Sequence, residues 1–371
     1  MLPPVARLLR VRIPAFLRTI DPKTGTGNMW RHIRAGLAHR VDLSAVQHSR
    51  LPRLRRPPDV WLSDCGAGRT GVLEPIVVQV HEAGWTDDEV RRTLNEEFVE
   101  VVLEGRVGAA VREATRIITP SESSRRQIVA HWDLDPARVH AVPHGVDGDL
   151  FRPGRPGGAA LIERAGGRAD TPYVLFVSSI HPRKNLPVLR GAMTRLAAGG
   201  VPHQLALVAQ PAPDRPDSDA LEREGTADLP GFPGRVVHLR QLSDLDLATV
   251  YAGAAAFCLP SLMEGFGLGV LEAMSAGVPV VTSDRGALPE VVGDAGLVVE
   301  PTVDGVEEAL GKVLADPTLA ADLSAAGRER AAQFTWDKTV AGWLAVLRQA
   351  STEGGHRKPW SIIDRAPVSL R

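Results

Sequence analysis

Short apolar runs alternate with longer polar segments of helical pattern along most of the chain. In the first half the apolar runs lie at Asp59 to Asp64, Pro75 to Trp85 and Arg116 to Thr119, and an acidic helix is predicted from about Asp87 to Glu104. In the second half the runs are YVLFVSS, QLALVAQ, VVHLRQL, AAAFCLP and GVPVVTS. Strands that alternate with helices are typical of parallel sheets covered on both faces. The pattern therefore predicts an α/β fold.

The length of the chain indicates two domains, because 371 residues exceed what a typical single core contains. A Gly-, Pro- and Arg-rich stretch from Phe151 to Ala160 interrupts the alternation and is typical of a linker or an exposed loop. We predict one Rossmann-like domain over residues 1–150 and another over 151–340, with their parallel sheets facing across a cleft. Residues 341–371 are predicted to form a C-terminal helix that returns towards the first domain, and a flexible tail.

Charge and composition exclude several classes of function. The net charge of −1 gives no basic field for nucleic acid. Cys65 and Cys258 lack metal-ligand spacing, which favours a reduced, cytoplasmic protein. No apolar stretch approaches the roughly 20 residues that span a bilayer. The N-terminal MLPPVARLLRVRIPAFLR favours a first strand with solvated arginines, with peripheral contact to a membrane surface as the alternative, and nothing in the chain indicates an oligomeric state.

The most informative segment runs from Ser261 to Val281 and reads SLMEGFGLGVLEAMSAGVPVV. Its glycines let backbone N–H groups approach a ligand, and the start of the following helix offers unpaired donors that suit a phosphate. Glu264 is predicted just before this helix and Glu272 about two turns into it. Eight helical steps span roughly 12 Å, which is comparable to the distance from a hexose across a diphosphate to a ribose. The segment therefore predicts a site for a nucleotide-sugar.

A Rossmann dehydrogenase is the nearest competing interpretation of the same segment. The strand-like GVPVVTS ends at Asp284, near where a ribose-binding acid is expected in such enzymes. However, Gly265, Gly267 and Gly269 follow a GxGxG spacing, whereas the dinucleotide fingerprint requires GxGxxG. Glu264 also has no role in that scheme, so the dehydrogenase interpretation is weak.

Two cations are predicted at the carboxyl end of another strand, where open α/β sheets bind ligands. Arg183 and Lys184 follow the run YVLFVSS and precede a helix for which Asn185 is the expected N-cap. Fixed positive charge at this place would stabilise a departing diphosphate. A solvated basic loop is the alternative.

The first half contributes two further candidate sites. Gly25 and Gly27 lie in a Gly-rich segment that leads into a helix, where backbone amides can face the same diphosphate or form an ordinary loop. His81 ends an apolar run and either contacts a sugar hydroxyl, carries a proton or has a structural role. No catalytic triad, Walker loop or His/Cys metal cluster is recognisable in the sequence.

Residues 20 to 345 resemble the retaining GT-B glycosyltransferases of family four, the glycosyl transferases group 1. The run from Tyr251 to Pro301 carries the resemblance, with its paired glutamates, GVPVV and ALPEV. Weaker matches are PRKN (Pro182 to Asn185), SESSRR with PHGVD, and FTW near the C-terminus. The resemblance implies the GT-B fold, in which the N-terminal domain binds the acceptor and the C-terminal domain binds the nucleotide-sugar.

The resemblance also implies roles for individual residues. Glu264 would hold the donor sugar together with His81, and Glu272 would hold the ribose. Lys184 would bind the diphosphate, with Arg183 beside it, so that Lys184, Arg183, Glu264 and His81 form the expected catalytic set. The other expected donor-binding positions are the amides of Phe266, Gly267 and Leu268 at the sugar, those of Gly269 and Val270 at the phosphate, and the glycine turn at Gly25 and Gly27.

The chain departs from the family pattern at two places. Many members have Gly-Arg where this chain has Ser178 and Ser179, and the arginine of that pair touches the diphosphate. We expect Arg183 to supply the missing charge. In PHGVD, His144 replaces the more common asparagine, and we interpret that change as structural.

The resemblance implies a metal-independent, retaining hexosyltransferase without a cofactor. Its co-substrate would be a nucleoside-diphosphate-sugar of the UDP or GDP type, and its acceptor a natural product, a saccharide or a lipid-linked glycan. The expected location is the cytoplasm, with peripheral contact at the inner membrane face as the alternative. Another GT-B enzyme, such as a sugar phosphorylase or a nucleotide-sugar epimerase, and a non-catalytic nucleotide-sugar-binding module stay open as alternatives.

Overall fold

A computed structural model of the chain describes residues 8–14, 17, 20, 24–46, 58–65, 74–94, 96, 98–211 and 217–353. Within these residues the strands form two parallel sheets of six strands each, and helices connect most successive strands. The predicted α/β class is therefore confirmed. Residues 354–371 of the predicted tail and much of the N-terminal segment lie outside the described residues.

The first sheet has the strand order β2-β1-β3-β4-β5-β6, with every neighbouring pair parallel. Strands β3 and β4 are buried along their whole length, as expected for a parallel sheet covered on both faces. The order reverses between β1 and β3, which makes the carboxyl ends of these strands a switch point. The strands are β1 (Arg10–Pro14), β2 (Asp42–Val46), β3 (Val60–Asp64), β4 (Ile76–Gln79), β5 (Arg116–Thr119) and β6 (Val139–Ala141).

The second sheet has the strand order β12-β11-β10-β7-β8-β9 and is also parallel throughout. Its order reverses between β7 and β10. Ligands of open α/β sheets bind outside the carboxyl ends of the strands at such a reversal. The strands are β7 (Tyr173–Ile180), β8 (Gln204–Pro211), β9 (Val236–His238), β10 (Ala256–Leu259), β11 (Val280–Ser283) and β12 (Leu297–Val299).

Side-chain caps explain where several of the helices begin. The hydroxyl of Thr24 accepts a hydrogen bond from the N–H of Gly27 at 3.0 Å, and that of Ser121 accepts one from Ser124 at 3.0 Å. The α-helices of the described residues are α1 (Gly25–Ala38), α2 (Asp88–Arg91), α3 (Gly108–Glu113), α4 (Glu122–Trp132), α5 (Gly158–Arg164), α6 (Leu186–Ala198), α7 (Ser218–Thr226), α8 (Asp244–Ala252), α9 (Leu268–Ser275), α10 (Leu288–Val292), α11 (Val303–Ala315), α12 (Pro317–Ala331) and α13 (Trp336–Thr352).

The described residues divide into two compact units, each with its own hydrophobic core. The first unit draws on the described residues within 8–83, 94–145 and 336–353, and the second on those within 84–93 and 146–335. In the first unit, α13 packs against α1, where Trp343 meets Trp30 edge-to-face with ring centroids 5.4 Å apart. In the second, helices α6, α9 and α11 cover the sheet.

The acidic helix predicted from Asp87 to Glu104 is not continuous. Helix α2 ends at Arg91, and a separate helix with π-type pairing runs from Phe98 to Val107. Helix α2 belongs to the second unit, whereas the helix from Phe98 to Val107 belongs to the first unit. The prediction was wrong because acidic residues of good helix propensity do not reveal where tertiary contacts break a helix.

The close packing of α1 on α13 predicts the effect of filling its glycine. A Cβ atom at Gly36 would overlap Cγ2 of the buried Val340 and lie 3.0 Å from its Cγ1. We expect Gly36→Ala to destabilise the protein by about 1–3 kcal/mol, because overpacking displaces the neighbouring helix. Gly311→Ala is the control, since its Cβ would meet only Leu196 at 3.5 Å. Denaturant unfolding that showed equal effects of the two changes would contradict this interpretation.

Candidate functional site

The turn after β7 carries the two predicted cations at the switch point of the second sheet. Pro182 to Lys184 form a single 3-10 turn, in which the N–H of Arg183 donates to Nδ1 of His181 at 3.1 Å. The turn ends at Asn185, whose backbone is left-handed with φ 55°. Asn185 precedes α6 as predicted, but its side chain does not cap that helix and instead donates to the carbonyl of Pro301 at 3.0 Å.

The loop after β10, the neighbouring strand, brings Glu264 to the same place. The side chain of Lys184 donates to Oε1 of Glu264 at 2.5 Å, and both residues are buried. The hydroxyl of Ser261 donates to the same oxygen at 2.8 Å. The structure therefore joins two predicted site residues in a buried ion pair.

Arg183 and the backbone bind the two loops to each other. The guanidinium of Arg183 donates to the carbonyl of Met263 at 3.1 Å and lies 3.9 Å from Oε2 of Glu264. The N–H of Leu262 donates to the carbonyl of Arg183 at 2.8 Å. Gly286 packs against the backbone of Glu264 and has φ 60°. A Cβ atom on Gly286 would lie 2.5 Å from the carbonyl oxygen of Glu264. A residue other than glycine would therefore displace the loop.

The electrostatics of this cluster keep Glu264 ionised. Burial opposes ionisation, but the charges of Lys184 and Arg183 outweigh it, so the pKa of Glu264 lies below its ordinary value. The cluster thus holds two cations and one carboxylate. An anionic ligand that approached this turn would meet a net positive charge.

Helix α9 starts immediately after the glutamate loop and presents its N-terminus. The preceding Gly267 has φ 101°, a conformation that favours glycine, and within the described residues no side chain caps the helix. Phe266 and Gly267 are buried, while Leu268 and Gly269 at the first turn are partly exposed. The amide of Val270 donates to the carbonyl of Gly267 at 3.1 Å. The first backbone N–H groups of a helix lack an intrahelical partner, and such groups can bind phosphate.

Glu272 lies only a little more than one turn into α9, because that helix begins at Leu268. The sequence prediction of two turns was wrong, since the residues up to Gly267 are not helical. Glu272 is half-buried, and burial raises its pKa from an ordinary value of 4.5 to about 7. The two glutamates of the segment therefore have opposite pKa shifts.

His81 in the first unit follows β4 and is held by a carboxylate that the sequence analysis did not single out. Its Nε2 lies 3.2 Å from Oδ2 of Asp64, which ends the neighbouring strand β3. The same oxygen accepts a hydrogen bond from the indole of Trp30 at 3.1 Å. Burial alone would lower the pKa of His81, but Asp64 outweighs it, so the pKa is raised.

Gly25 and Gly27 belong to the first turn of α1, so they lie in the helix itself and not in a loop before it. Neither has a positive φ. Trp30 in the second turn of this helix donates to Asp64 at the end of β3. The predicted glycine turn is therefore the beginning of helix α1, which contacts the carboxyl end of β3 through Trp30.

The two departures from the family pattern have clear places in the fold. Ser178 and Ser179 lie at the end of β7, just before its last residue Ile180, and Arg183 lies in the turn that follows. His144 is buried in the first unit, where its ring lies 6.1 Å from that of Trp336, and burial lowers its pKa to about 3. His144 is therefore neutral at physiological pH.

The part of the chain that the structure describes contains neither a membrane-spanning helix nor a cluster of metal ligands. None of the helices there is long and apolar enough to cross a bilayer. In the same ranges, no group of three or more His, Cys, Asp or Glu side chains is arranged to hold a metal ion.

Comparison with known proteins links this geometry to one family. Residues 160–330 match the family model described as glycosyl transferases group 1. The MMP alpha-(1->4)-mannosyltransferase of Mycolicibacterium hassiacum is 32% identical over 302 residues, which cover 76% of this chain and 68% of that relative. The D-inositol 3-phosphate glycosyltransferase of Mycobacterium avium is 37% identical over 254 residues, 66% of this chain but only 57% of that relative. The chain thus spans little more than half the length of this second relative.

Solved structures share the fold. The sucrose-phosphate synthase of Thermosynechococcus elongatus superposes with a TM-score of 0.74 at 22% identity, over 92% of this chain and 98% of that one. Anabaena HepE, in complex with UDP and glucose, has a TM-score of 0.71 at 16% identity, over 91% and 99% of the two chains. At these identities the likeness concerns the fold alone, and it confirms the predicted GT-B fold with two Rossmann-like sheets.

The pairing of His81 with Asp64 predicts a change in titration. We expect Asp64→Asn to lower the pKa of His81, because the variant loses the charge that stabilises the imidazolium. Histidine-labelled NMR across pH 5 to 9 measures this pKa, with His81→Gln used to assign the resonance. The other histidine resonances are the internal control. An unchanged His81 titration would show that Asp64 does not set its protonation.

The raised pKa of Glu272 predicts how stability depends on pH. The folded state binds the proton more tightly than the unfolded state, so Glu272 destabilises the fold as pH rises from 4.5 to about 7. We expect the Tm of Glu272→Gln to exceed that of wild type by an amount that grows as pH rises from 4.5 to about 7. Above about pH 7 the Tm difference should stay constant. Glu308→Gln is the control, because Glu308 is exposed and pairs with Lys312. A Tm difference independent of pH would contradict the shift.

Proposed function

This chain belongs to the family of glycosyl transferases group 1, and on that premise we propose that it moves a hexose from a nucleoside-diphosphate-sugar to an acceptor hydroxyl with retention of the anomeric configuration. The proposed donor is of the UDP or GDP type, and the reaction uses neither a metal ion nor a further cofactor. Glycosyl transfer is the activity of the family, whereas donor type, stereochemistry and metal independence are our proposals.

The observation that carries the proposal is the buried Lys184–Glu264 pair at the switch point between β7 and β10. It supports a division of roles between the two loops. The ammonium group of Lys184 and the guanidinium of Arg183 face negative charge on the diphosphate, and the start of α9 supplies amide donors to it. Glu264 accepts hydrogen bonds from sugar hydroxyls, and Glu272 accepts them from the ribose.

The proposed reaction proceeds on one face of the sugar. The bond between the anomeric carbon and the phosphate oxygen breaks, and its electron pair remains on the diphosphate. The acceptor oxygen bonds to the anomeric carbon on the same face, and its proton passes to the departing phosphate oxygen. Lys184 and Arg183 stabilise the charge that develops on this leaving group, and a fixed charge in a buried turn needs little reorganisation to do so.

The first unit is proposed to bind the acceptor, with His81 contacting the donor sugar. Asp64 then fixes the orientation of His81 through its Nε2. The proposed acceptor is a natural product, a saccharide or a lipid-linked glycan. The names of the two relatives, a mannosyltransferase and an enzyme named for D-inositol 3-phosphate, support a hexosyl group and a polyhydroxylated acceptor. A nucleotide-sugar donor favours action in the cytoplasm, free or against the inner membrane face.

A panel of UDP- and GDP-sugars tests this function. We expect at least one donor to raise the Tm of the purified chain by mass action, and an acceptor panel to release the matching nucleoside diphosphate. Product NMR then reports the anomeric configuration. An epimerised donor, or activity that requires inorganic phosphate, would indicate another enzyme class, and binding without turnover would indicate a non-catalytic module.

Lys184→Met tests the proposed charge stabilisation. We expect kcat to fall by roughly 10²–10³-fold, because one fixed donor to the developing charge is lost. Lys312→Met is the matched control, since Lys312 forms an exposed pair with Glu308 and should leave turnover unchanged. Because Lys184→Met removes the closer of the two cations beside the buried Glu264 and leaves Arg183 at 3.9 Å, Lys184→Met/Glu264→Gln tests turnover without a poorly compensated buried carboxylate. Wild-type turnover in either Lys184 variant would remove this residue from the mechanism.

A further inference from the structure

Ser261 lies in the loop after β10 and takes no part in the proposed reaction. The residue is fully buried, and its hydroxyl donates to Oε1 of Glu264 at 2.8 Å. Hydrogen bonds to an ionised group are roughly twice as strong as those between neutral groups. The loop therefore provides both the carboxylate and, three residues before it, a strong donor to that carboxylate.

The backbone of this loop is held by contacts that do not involve the Ser261 hydroxyl. The carbonyl of Ser261 accepts a hydrogen bond from a hydroxyl at the end of β11. The N–H of Leu262 donates to the carbonyl of Arg183 at 2.8 Å, and the N–H of Ala287 donates to the carbonyl of Glu264 at 3.0 Å. Loss of the Ser261 hydroxyl would therefore leave the path of the loop in place and act on the side chain of Glu264.

The two oxygens of the Glu264 carboxylate have different surroundings. Oε1 accepts hydrogen bonds from both Ser261 and Lys184, at 2.8 and 2.5 Å. A carboxylate has about four lone-pair sites on its two oxygens, so these two donors fill the sites of Oε1. The guanidinium of Arg183 lies 3.9 Å from Oε2, beyond hydrogen-bonding distance. Oε2 is therefore the oxygen through which Glu264 can accept hydrogen bonds from a ligand.

Ser261 and Lys184 differ in what a bound diphosphate would do to them. The ammonium group of Lys184 has three donors and a charge, so it can turn towards phosphate oxygens while it holds Glu264. The hydroxyl of Ser261 has one donor and no charge, and burial keeps it away from a ligand. Ser261 is therefore the partner that keeps the same contact with Glu264 throughout the proposed reaction.

We propose that Ser261 is a positioning residue that holds Oε1 of Glu264 and thereby directs Oε2 at the hydroxyls of the donor sugar. This inference rests on the proposed function, because the sugar contact of Glu264 is part of that function. The terminal torsion of a glutamate is broad, so a carboxylate with fewer donors rotates more easily. Hydrogen bonds from Oε2 to the sugar then lose their geometry. Ser261 does not itself touch the substrate.

Thr282 on β11 provides a matched control. It is fully buried, and its hydroxyl donates to the carbonyl of Leu259 at 2.8 Å. This hydrogen bond has the same length as that of Ser261, but its acceptor is a backbone carbonyl instead of a carboxylate. Thr282→Val and Ser261→Ala each remove one buried hydroxyl from neighbouring parts of the same unit, and Ser261→Ala alone removes a donor to Glu264.

The test compares the affinity for a nucleotide-sugar with that for the bare nucleotide. The probes are UDP, GDP and a panel of their hexose conjugates, measured by calorimetry on the full chain. We expect Ser261→Ala to raise the Kd of the nucleotide-sugar that binds by roughly tenfold, because the sugar loses a well-oriented acceptor. The Kd of the corresponding nucleotide should stay unchanged, since that ligand lacks the sugar. Thr282→Val should leave both Kd values unchanged.

The difference between the two ligands separates positioning from a structural role. Ser261→Ala and Thr282→Val should both lower the Tm, because each loses one buried hydrogen bond. Ser261→Cys retains a weak donor, so we expect it to raise the Kd of the nucleotide-sugar less than Ser261→Ala does. It also carries the comparison of the two ligands if the alanine variant does not fold.

Two outcomes would overturn the role of Ser261 and leave the proposed function intact. One is a Kd of the nucleotide-sugar that stays at the wild-type value in the Ser261 variants. The other is an equal rise in the Kd of both ligands, which would indicate a general disturbance of the loop. Wild-type protein that binds no member of the panel and releases no nucleoside diphosphate would overturn the proposed function, and this inference with it.

Discussion

The ion pair between Lys184 and Glu264 joins the two loops on which the candidate site depends. One loop leaves β7 and the other leaves β10, and the 2.5 Å contact between them is buried. Loss of one partner from such a pair leaves an uncompensated buried charge, which typically costs 3–5 kcal/mol. Hydrogen bonds from Leu262 and Arg183 connect the same loops through the backbone. The cations and the carboxylate are thus held in place by contacts within the protein itself.

The two glutamates of one short segment have opposite protonation behaviour, and their surroundings explain the difference. Glu264 is surrounded by cations and stays ionised despite burial. No cation among the described residues lowers the pKa of Glu272, and burial moves that pKa to about 7. Carboxylates whose pKa values are driven apart in this way are suited to different tasks. We therefore propose Glu264 for charge balance and sugar contact, and Glu272 for a ribose contact that depends on pH.

The sequence predicted those features that arise from local patterns. The strand from Arg116 to Thr119 has the predicted bounds, and the strand from Tyr173 extends one residue beyond its predicted end at Ser179. The site motif was recognisable because glycines and acids lie close together along the chain. Asp64 was not singled out, since it acts on His81, which only the folded chain brings near. Ser261 was not singled out either, although its partner Glu264 lies only three residues along the chain. Asp64 did carry a signal, because it ends a predicted strand just as His81 does.

The most direct test of the central claim is a crystal structure with UDP or GDP, whichever stabilises the protein more. The account predicts the diphosphate at the start of α9 within hydrogen-bonding distance of Lys184, and the ribose hydroxyls on the carboxylate of Glu272. Electron density for the nucleotide at any other place, with the Lys184–Glu264 loops left empty, would contradict it.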